Sequence, residues 1–345
     1  MTSGGNLDLV IDSLDEPFLL VDDQRIITRV NAAARDTLGE DLLGQPFVRS
    51  IRHPEAIRCL SEVLNGQASA SAEIQLLTPH VTTFRLTAIA LTGDNPAAVV
   101  LKDVSPLLAA AQMRSDFVAN VSHELRSPLT TLAGLIETLK GPAKDDAEGR
   151  ERFLNIMERE AGRMDRLIAD LLSLSRVEEH EKVRPTETVD LCSIIKSVIT
   201  NVQESGGEHD HEIEFQSDVD EARTPADPDQ LTQVFQNLLE NAIKYSAPGG
   251  KISISVLPQM NAPGFSGPLW VASVTDQGEG IDAEHIPRLT ERFYRVDSGR
   301  SREMGGTGLG LAIVKHIVSR HRGRLGIKST KGSGTEISVM LPAMT

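Results

Sequence analysis

His123 stands directly before Glu124 in the run Val121-Ser-His123-Glu124-Leu125-Arg-Ser127-Pro128-Leu129, a pair that could supply an oriented imidazole nucleophile. At ~100° per helical residue, His123 lies far round from Val121 and Leu125 and so points into solvent. An exposed histidine is ordinarily plain surface. The adjacent carboxylate offers a second reading, in which Glu124 accepts the Nδ1 proton, orients the ring and leaves Nε2 as the nucleophile. Pro128, inside the same helical pattern, removes a backbone donor and predicts a bend one turn after His123.

Farther along, Asn237, Asn241 and Lys244 recur at i, i+4 and i+7, which puts them on one helix face. That face is either ordinary solvated surface or a ligand face. Asn is a mediocre helix former, amide oxygens ligate Mg²⁺, and Lys meets phosphate as a point charge. The strand-like Leu269–Thr275 then runs into Asp276-Gln-Gly278-Glu-Gly280. An Asp at a strand end can accept a hydrogen bond from an exocyclic amine, and the glycines permit close backbone approach, although a plain turn explains the same residues. Gly305-Gly306-Thr307-Gly308-Leu309-Gly310 leads into a helix near Leu311, so consecutive N–H groups and a helix N-terminus form a cradle for an anion. Its spacing is neither a Walker A loop, which needs Lys-Ser/Thr after the last glycine, nor a dinucleotide fingerprint.

In this order the runs resemble the sensor histidine kinases of bacterial two-component systems, and the resemblance covers Leu107 to Leu341. His123–Leu129 is similar to that family's H box, Asn237–Tyr245 to its N box, Asp276–Gly280 to its G1 box and Pro287–Val296 to its F box. Gly305–Gly310 is similar to its G2 box, and Gly332-Ser-Gly334-Thr335 to its closing glycine box. The resemblance implies that His123 is the phosphoacceptor and Glu124 the base. Ser127 stands where the family usually has Thr or Asn to position water for dephosphorylating its partner; it keeps a hydroxyl, so phosphatase activity stays open. It further implies that Asn241 holds Mg²⁺ with Asn237 in support, and that Asp276 reads the adenine amine. ATP would also meet Lys244, Tyr245, Gly278, Gly280, Gly306, Thr307, Gly308, Leu309, Gly310 and Thr335. Arg295, with Arg292 behind it, is expected on the phosphates from a mobile lid. Among relatives, Glu291–Asp297 and Gly305–His316 look most like phosphate-regulon sensor kinases.

The elements needed to position these residues are legible around them. Apolar residues at Phe117, Val121, Leu125, Leu129, Leu132, Ile136 and Leu139 mark one helix, and Phe153, Met157, Met164, Ile168, Leu171 and Leu174 mark a second. Gly141-Pro142 separates the two. Such a hairpin is too thin to bury its stripe, so a homodimer with a four-helix bundle is expected. The predicted fold is a multidomain α+β chain. It comprises a PAS-like α/β sensor domain at 1–105, the dimerisation and phosphotransfer hairpin at 106–180, and an ATP-binding α/β sandwich of the histidine kinase/chaperone/gyrase type at 181–345.

Composition narrows the partners. A net charge of −14 over 345 residues, with 3% aromatics, excludes a general nucleic-acid binder and a base-stacking platform. Cys59 and Cys192 are isolated, which excludes a disulfide framework and suits a reducing compartment. No run approaches the ~18 apolar residues of a membrane span, and Met1–Pro17 has no basic n-region. The expected location is the cytoplasm, with a membrane-associated partner as the route to the inner face of the cell membrane. The expected partners are a second copy and a response regulator receiver domain. The rival readings are a nucleotide-binding scaffold without turnover and an ATPase sharing the nucleotide fold. His209-Asp-His211-Glu212 reads as strand-edge alternation, and His316 and His321, among Lys315, Arg320 and Arg322, as a solvated basic face.

Overall fold

The computed structural model describes residues 11–78, 80–92, 96–179, 183–204, 211–260, 262–263, 265, 267–297, 299 and 306–344. The chain forms two compact units, divided between Ala119 and Asn120.

The first unit is an antiparallel sheet of β1 (Phe18–Val21), β2 (Ile27–Val30), β3 (Ser69–Leu77), β4 (Val81–Ala90) and β5 (Ala97–Asp103), in the order β2-β1-β5-β4-β3. Helices α1 (Ala32–Leu38), α2 (Phe47–Ser50) and α3 (Pro54–Leu64) fill the crossover between β2 and β3. Along β4, Phe84, Leu86 and Ala88 are buried and alternate with Arg85 and Thr87, the period-two signature of a half-covered sheet. Asn31 caps α1 and is fully buried. Its Oδ1 accepts from Ala34 N–H at 2.9 Å and Phe18 N–H at 3.0 Å, while Nδ2 donates to the carbonyls of Ile11, Leu14 and Glu16.

Helix α4 (Ser105–Lys140) begins in the first unit and ends in the second, and it continues through Pro128. Helix α5 (Ala147–Glu179) follows a short loop in which the Asp146 carboxylate accepts from Gly149 N–H at 2.9 Å, an N-terminal cap. The buried row of helix α5 is Leu167, Leu174 and Val177, at steps of seven and three on one face; of these the sequence reading names only Leu174.

The rest of the second unit is a five-stranded sheet with helices packed against it. The strands are β7 (Glu212–Ser217), β9 (Lys251–Gln259), β10 (Leu269–Asp276), β11 (Arg324–Thr330) and β12 (Gly334–Pro342), in the order β11-β12-β10-β9-β7, with β7 parallel to β9 and the other pairs antiparallel. Short strands β6 (Thr188–Asp190) and β8 (Arg223–Pro225) pair separately. The covering helices are α6 (Leu191–Glu204), α7 (Pro228–Tyr245) and α8 (Gly310–Arg320). Ile252, Ile254 and Val256 of β9 alternate into this core, each worth about 1.5–3 kcal/mol of burial. Pro228 at the first turn and the Asp227 cap, which accepts from Gln230 N–H at 3.2 Å, start α7. The observed elements are those of the expected multidomain α+β fold, with the nucleotide-lobe sheet covered by helices.

Candidate functional site

His123 is exposed on α4, as is Ser127. Glu124 is not: its Oε2 accepts from Arg163 Nη2 of α5 at 2.6 Å and from Arg295 Nη2 at 3.1 Å. The sequence reading puts this carboxylate on the His123 ring; the described bonds put it on two guanidiniums. A fixed positive charge in a largely enclosed place is the stronger partner.

On α7, Asn237, Asn241 and Lys244 are half-buried on one face. Gly310 opens α8 so close to Asn237 that an added Cβ would sit 3.3 Å from its Oδ1. The Asn237 Nδ2 is buried with no partner among the described residues. Lys244 lies 5.1 Å from the centroid of the Tyr245 ring. Burial lowers the Lys244 pKa, Tyr245 raises it, and the charges of Arg295 and Arg166 lower it further.

Asp276 ends β10 almost fully buried, accepting from Gly278 N–H at 2.8 Å and from Thr335 N–H. Burial pushes its carboxyl above the ordinary range, and those two donors pull it back. At Gly278 and Gly280 the close backbone approach that the sequence reading expects is made by the chain itself, and Gly334 behaves alike. A Cβ on Gly278 would strike the Tyr245 carbonyl, on Gly280 the Thr330 carbonyl, and on Gly334 the Asp276 carbonyl. These glycines let one chain segment cross another.

Of the glycine loop, Gly306 to Gly310 are described, and Gly305 lies outside the described residues. Gly308 has φ +74° and packs on the backbone of Phe293, whose N–H donates to the Gly308 carbonyl at 2.8 Å. Phe293 itself has φ +64°, a strained setting for a bulky side chain that locks the F-box run to the loop. Leu309 is buried beneath. Thr307 Oγ1 donates to Asp170 Oδ2 of α5 at 2.6 Å and accepts from Leu309 N–H at 3.2 Å, while its carbonyl accepts from Arg295 Nη2 at 2.8 Å. Arg292 Nη2 donates to Glu178 Oε1 of α5 at 2.5 Å. Arg295 and Arg292, expected on phosphate, here bind groups of the hairpin and the loop.

Arg163, Asp170 and Glu178 were not legible as functional residues. On a charged amphipathic helix they read as solvated face, and only their long-range partners single them out. His321 also differs from expectation. It is 1% exposed, its Nε2 accepting from Asp227 N–H at 3.0 Å and its Nδ1 donating to the Ile317 carbonyl at 2.7 Å. The ring therefore ties the end of α8 to the start of α7, and burial drives its pKa down.

Among the described residues no three His, Cys, Asp or Glu side chains gather as a metal site. On the α7 face that carries Lys244, Asn237 and Asn241 each offer one amide oxygen. That donor set fits a hard cation arriving with phosphate oxygens and water rather than a caged one.

Comparison with known proteins agrees with this layout. Residues 226–345 match the family of histidine kinase-, DNA gyrase B- and HSP90-like ATPases, residues 113–180 the His kinase A phospho-acceptor domain, and residues 6–70 a PAS domain. The phosphate regulon sensor protein PhoR of Pseudomonas aeruginosa is 36% identical over 96% of this chain and 74% of its own. The sensor protein kinase WalK of Staphylococcus saprophyticus is 34% identical over 97% of this chain and 55% of its own, so the chain spans about half the length of that relative. In fold, the chain is similar to the histidine kinase ThkA, solved in complex with the response regulator TrrA. The TM-score is 0.52 at 20% identity, over 97% of this chain and 98% of that one.

Proposed function

The chain belongs to the sensor histidine kinases of bacterial two-component systems, and from that premise we propose that ATP held in its C-terminal lobe phosphorylates His123, which passes the phosphoryl group to an aspartate of a response regulator. The observation that carries this is an exposed imidazole on α4, one residue from a carboxylate that an arginine of the lobe already reaches.

In the proposed reaction the lone pair of His123 Nε2 attacks the γ-phosphorus, the bond from that phosphorus to the β–γ bridging oxygen breaks, and ADP leaves. Glu124 takes the Nδ1 proton, which requires its release from Arg295. Asp276 accepts from the adenine amine, while Lys244 and the N–H groups of Gly306–Gly310 meet the phosphates. A Mg²⁺ ion held by Asn241 would neutralise phosphate charge when bound. Positioning and charge compensation do most of the work.

A second copy of the chain is the partner for the hairpin. Leu129, Ile136, Leu154, Ile168 and Leu172 are exposed on α4 and α5, and a four-helix bundle would cover such a face. The receiver domain of a response regulator is the second partner. The PhoR relative makes phosphate supply the signal to test first. Among the described residues no helix is long and apolar enough to cross a membrane.

The test is transfer of ³²P from γ-labelled ATP. His123→Ala is expected to abolish acid-labile incorporation while binding ATP as the parent does; continued labelling of that variant would remove His123 from its role.

A further inference from the structure

Resting on the reading of the C-terminal lobe as the ATP site, the structure assigns Asp170 of α5 a positioning role: its carboxylate competes with the terminal phosphates of ATP for the hydroxyl of Thr307 in the glycine loop.

The argument begins with the number of protons. A threonine hydroxyl has one hydrogen to donate, and Thr307 gives it to Asp170 Oδ2 at 2.6 Å. Its oxygen already takes the Leu309 N–H, and its carbonyl takes Arg295. A phosphate oxygen entering the loop needs the same donor. It also meets a carboxylate, whose like charge is poorly screened in a half-buried setting.

Helix geometry fixes that carboxylate in place. Asp170 lies three residues after Leu167 and four before Leu174, both buried, so it sits within the row that α5 presses against α8. An acidic side chain in such a row costs stability unless it serves a partner; Thr307 is its hydrogen-bond partner, with the Arg166 charge favouring and the Glu240 charge opposing its ionised form. The same hairpin supplies Glu124 to Arg295 and Glu178 to Arg292. Each contact gives a lobe group the anion that the triphosphate would otherwise provide.

Docking of the glycine loop on α5 and binding of the triphosphate are therefore antagonistic, and linkage makes the antagonism mutual. Adenine recognition at Asp276 is on a different loop and lies outside this competition. A purely structural role for Asp170 would disturb both ends of the nucleotide alike.

The test measures, by calorimetric titration of the full chain, the affinity for a non-hydrolysable ATP analogue and for adenosine monophosphate. Asp170→Asn keeps the shape and removes the charge; Asp170→Ala removes the acceptor as well. The triphosphate analogue is expected to bind about tenfold tighter in the variants, a coupling of ordinary allosteric size, with the monophosphate little changed. A rise in the ratio of the two affinities in either variant supports the proposal, and a ratio that stays level or falls in both overturns it. If the parent chain binds neither ligand, the ATP reading itself fails and this inference goes with it. Binding of both ligands by the parent with an unmoved ratio defeats this inference alone.

Discussion

Arg295 reaches 171 residues back along the chain to the carboxylate of Glu124, 3.1 Å away, and both side chains are nearly closed off from solvent at 6% and 13% exposure. The same nitrogen also holds the Thr307 carbonyl. One guanidinium thus bridges the proposed base and the proposed phosphate loop.

Replacing that bridge has two separable effects. Arg295→Ala is expected to lower the stability of the second unit by about 1.5–3 kcal/mol, the range for a hydrogen bond to a charged group, because Arg163 still compensates Glu124. Thermal unfolding of the full chain measures this. Autophosphorylation is expected to fall further than stability explains, since the variant would also lose the proposed phosphate contact. Rates equal to those of the parent would show that Arg295 only holds the docked arrangement.

Asp276 offers a test of base recognition. Asp276→Asn removes a buried charge that burial disfavours, so the fold should survive. The amide nitrogen, however, confronts the Gly278 and Thr335 N–H groups, which need an acceptor. The expected loss of ATP affinity is about 10- to 100-fold, the cost of leaving a buried polar group unmatched. Inosine triphosphate, which lacks the exocyclic amine, should bind the parent poorly and lose little in the variant. An unchanged preference for ATP over inosine triphosphate would assign adenine recognition elsewhere.

His321 sets a pH dependence. Its folded-state pKa is depressed below the ordinary 6.5 because burial disfavours the cation. Below 6.5 the unfolded chain therefore takes up a proton more readily than the folded one, and stability falls with pH at up to ~1.4 kcal/mol per unit until the depressed value is passed. Protonation also removes the acceptor for Asp227 N–H. His321→Gln, which can donate and accept at the same two places, should flatten this slope in acid unfolding curves. At lower pH, Asp170 and Asp276, whose pKa values are raised by burial, contribute with the opposite sign. An equal slope in the parent and in His321→Gln would exclude the ring as its origin.

Much of this molecule can be read from residue order because the relevant signals are local. The two hairpin helices and the body of α7 follow from periodicity, but the Asp227-Pro228 start of α7 is not read from the sequence. The pair β6–β8 does not follow either, since three-residue strands leave no period to detect. Nor do the partners of Glu124, Asp170 and Glu178, which are chosen by tertiary contact across 39 to 171 residues. His321 misleads for a related reason: Arg320 and Arg322 beside it suggest solvent, yet the backbone turns the ring inward onto Asp227. The burial of Asn31 is equally non-local, since the carbonyls of Ile11, Leu14 and Glu16 converge on its amide.

Gly278, Gly280 and Gly334 each stand where two stretches of main chain cross with no space for a methyl group. Their tolerance to change is accordingly set by mechanics rather than by chemistry. An alanine at any of the three would prise apart a crossover beside Asp276, the proposed adenine reader, so loss of nucleotide in such a variant would report a displaced floor and not a missing contact. Random mutagenesis of this lobe will score these glycines as essential even though none of them need touch the ligand.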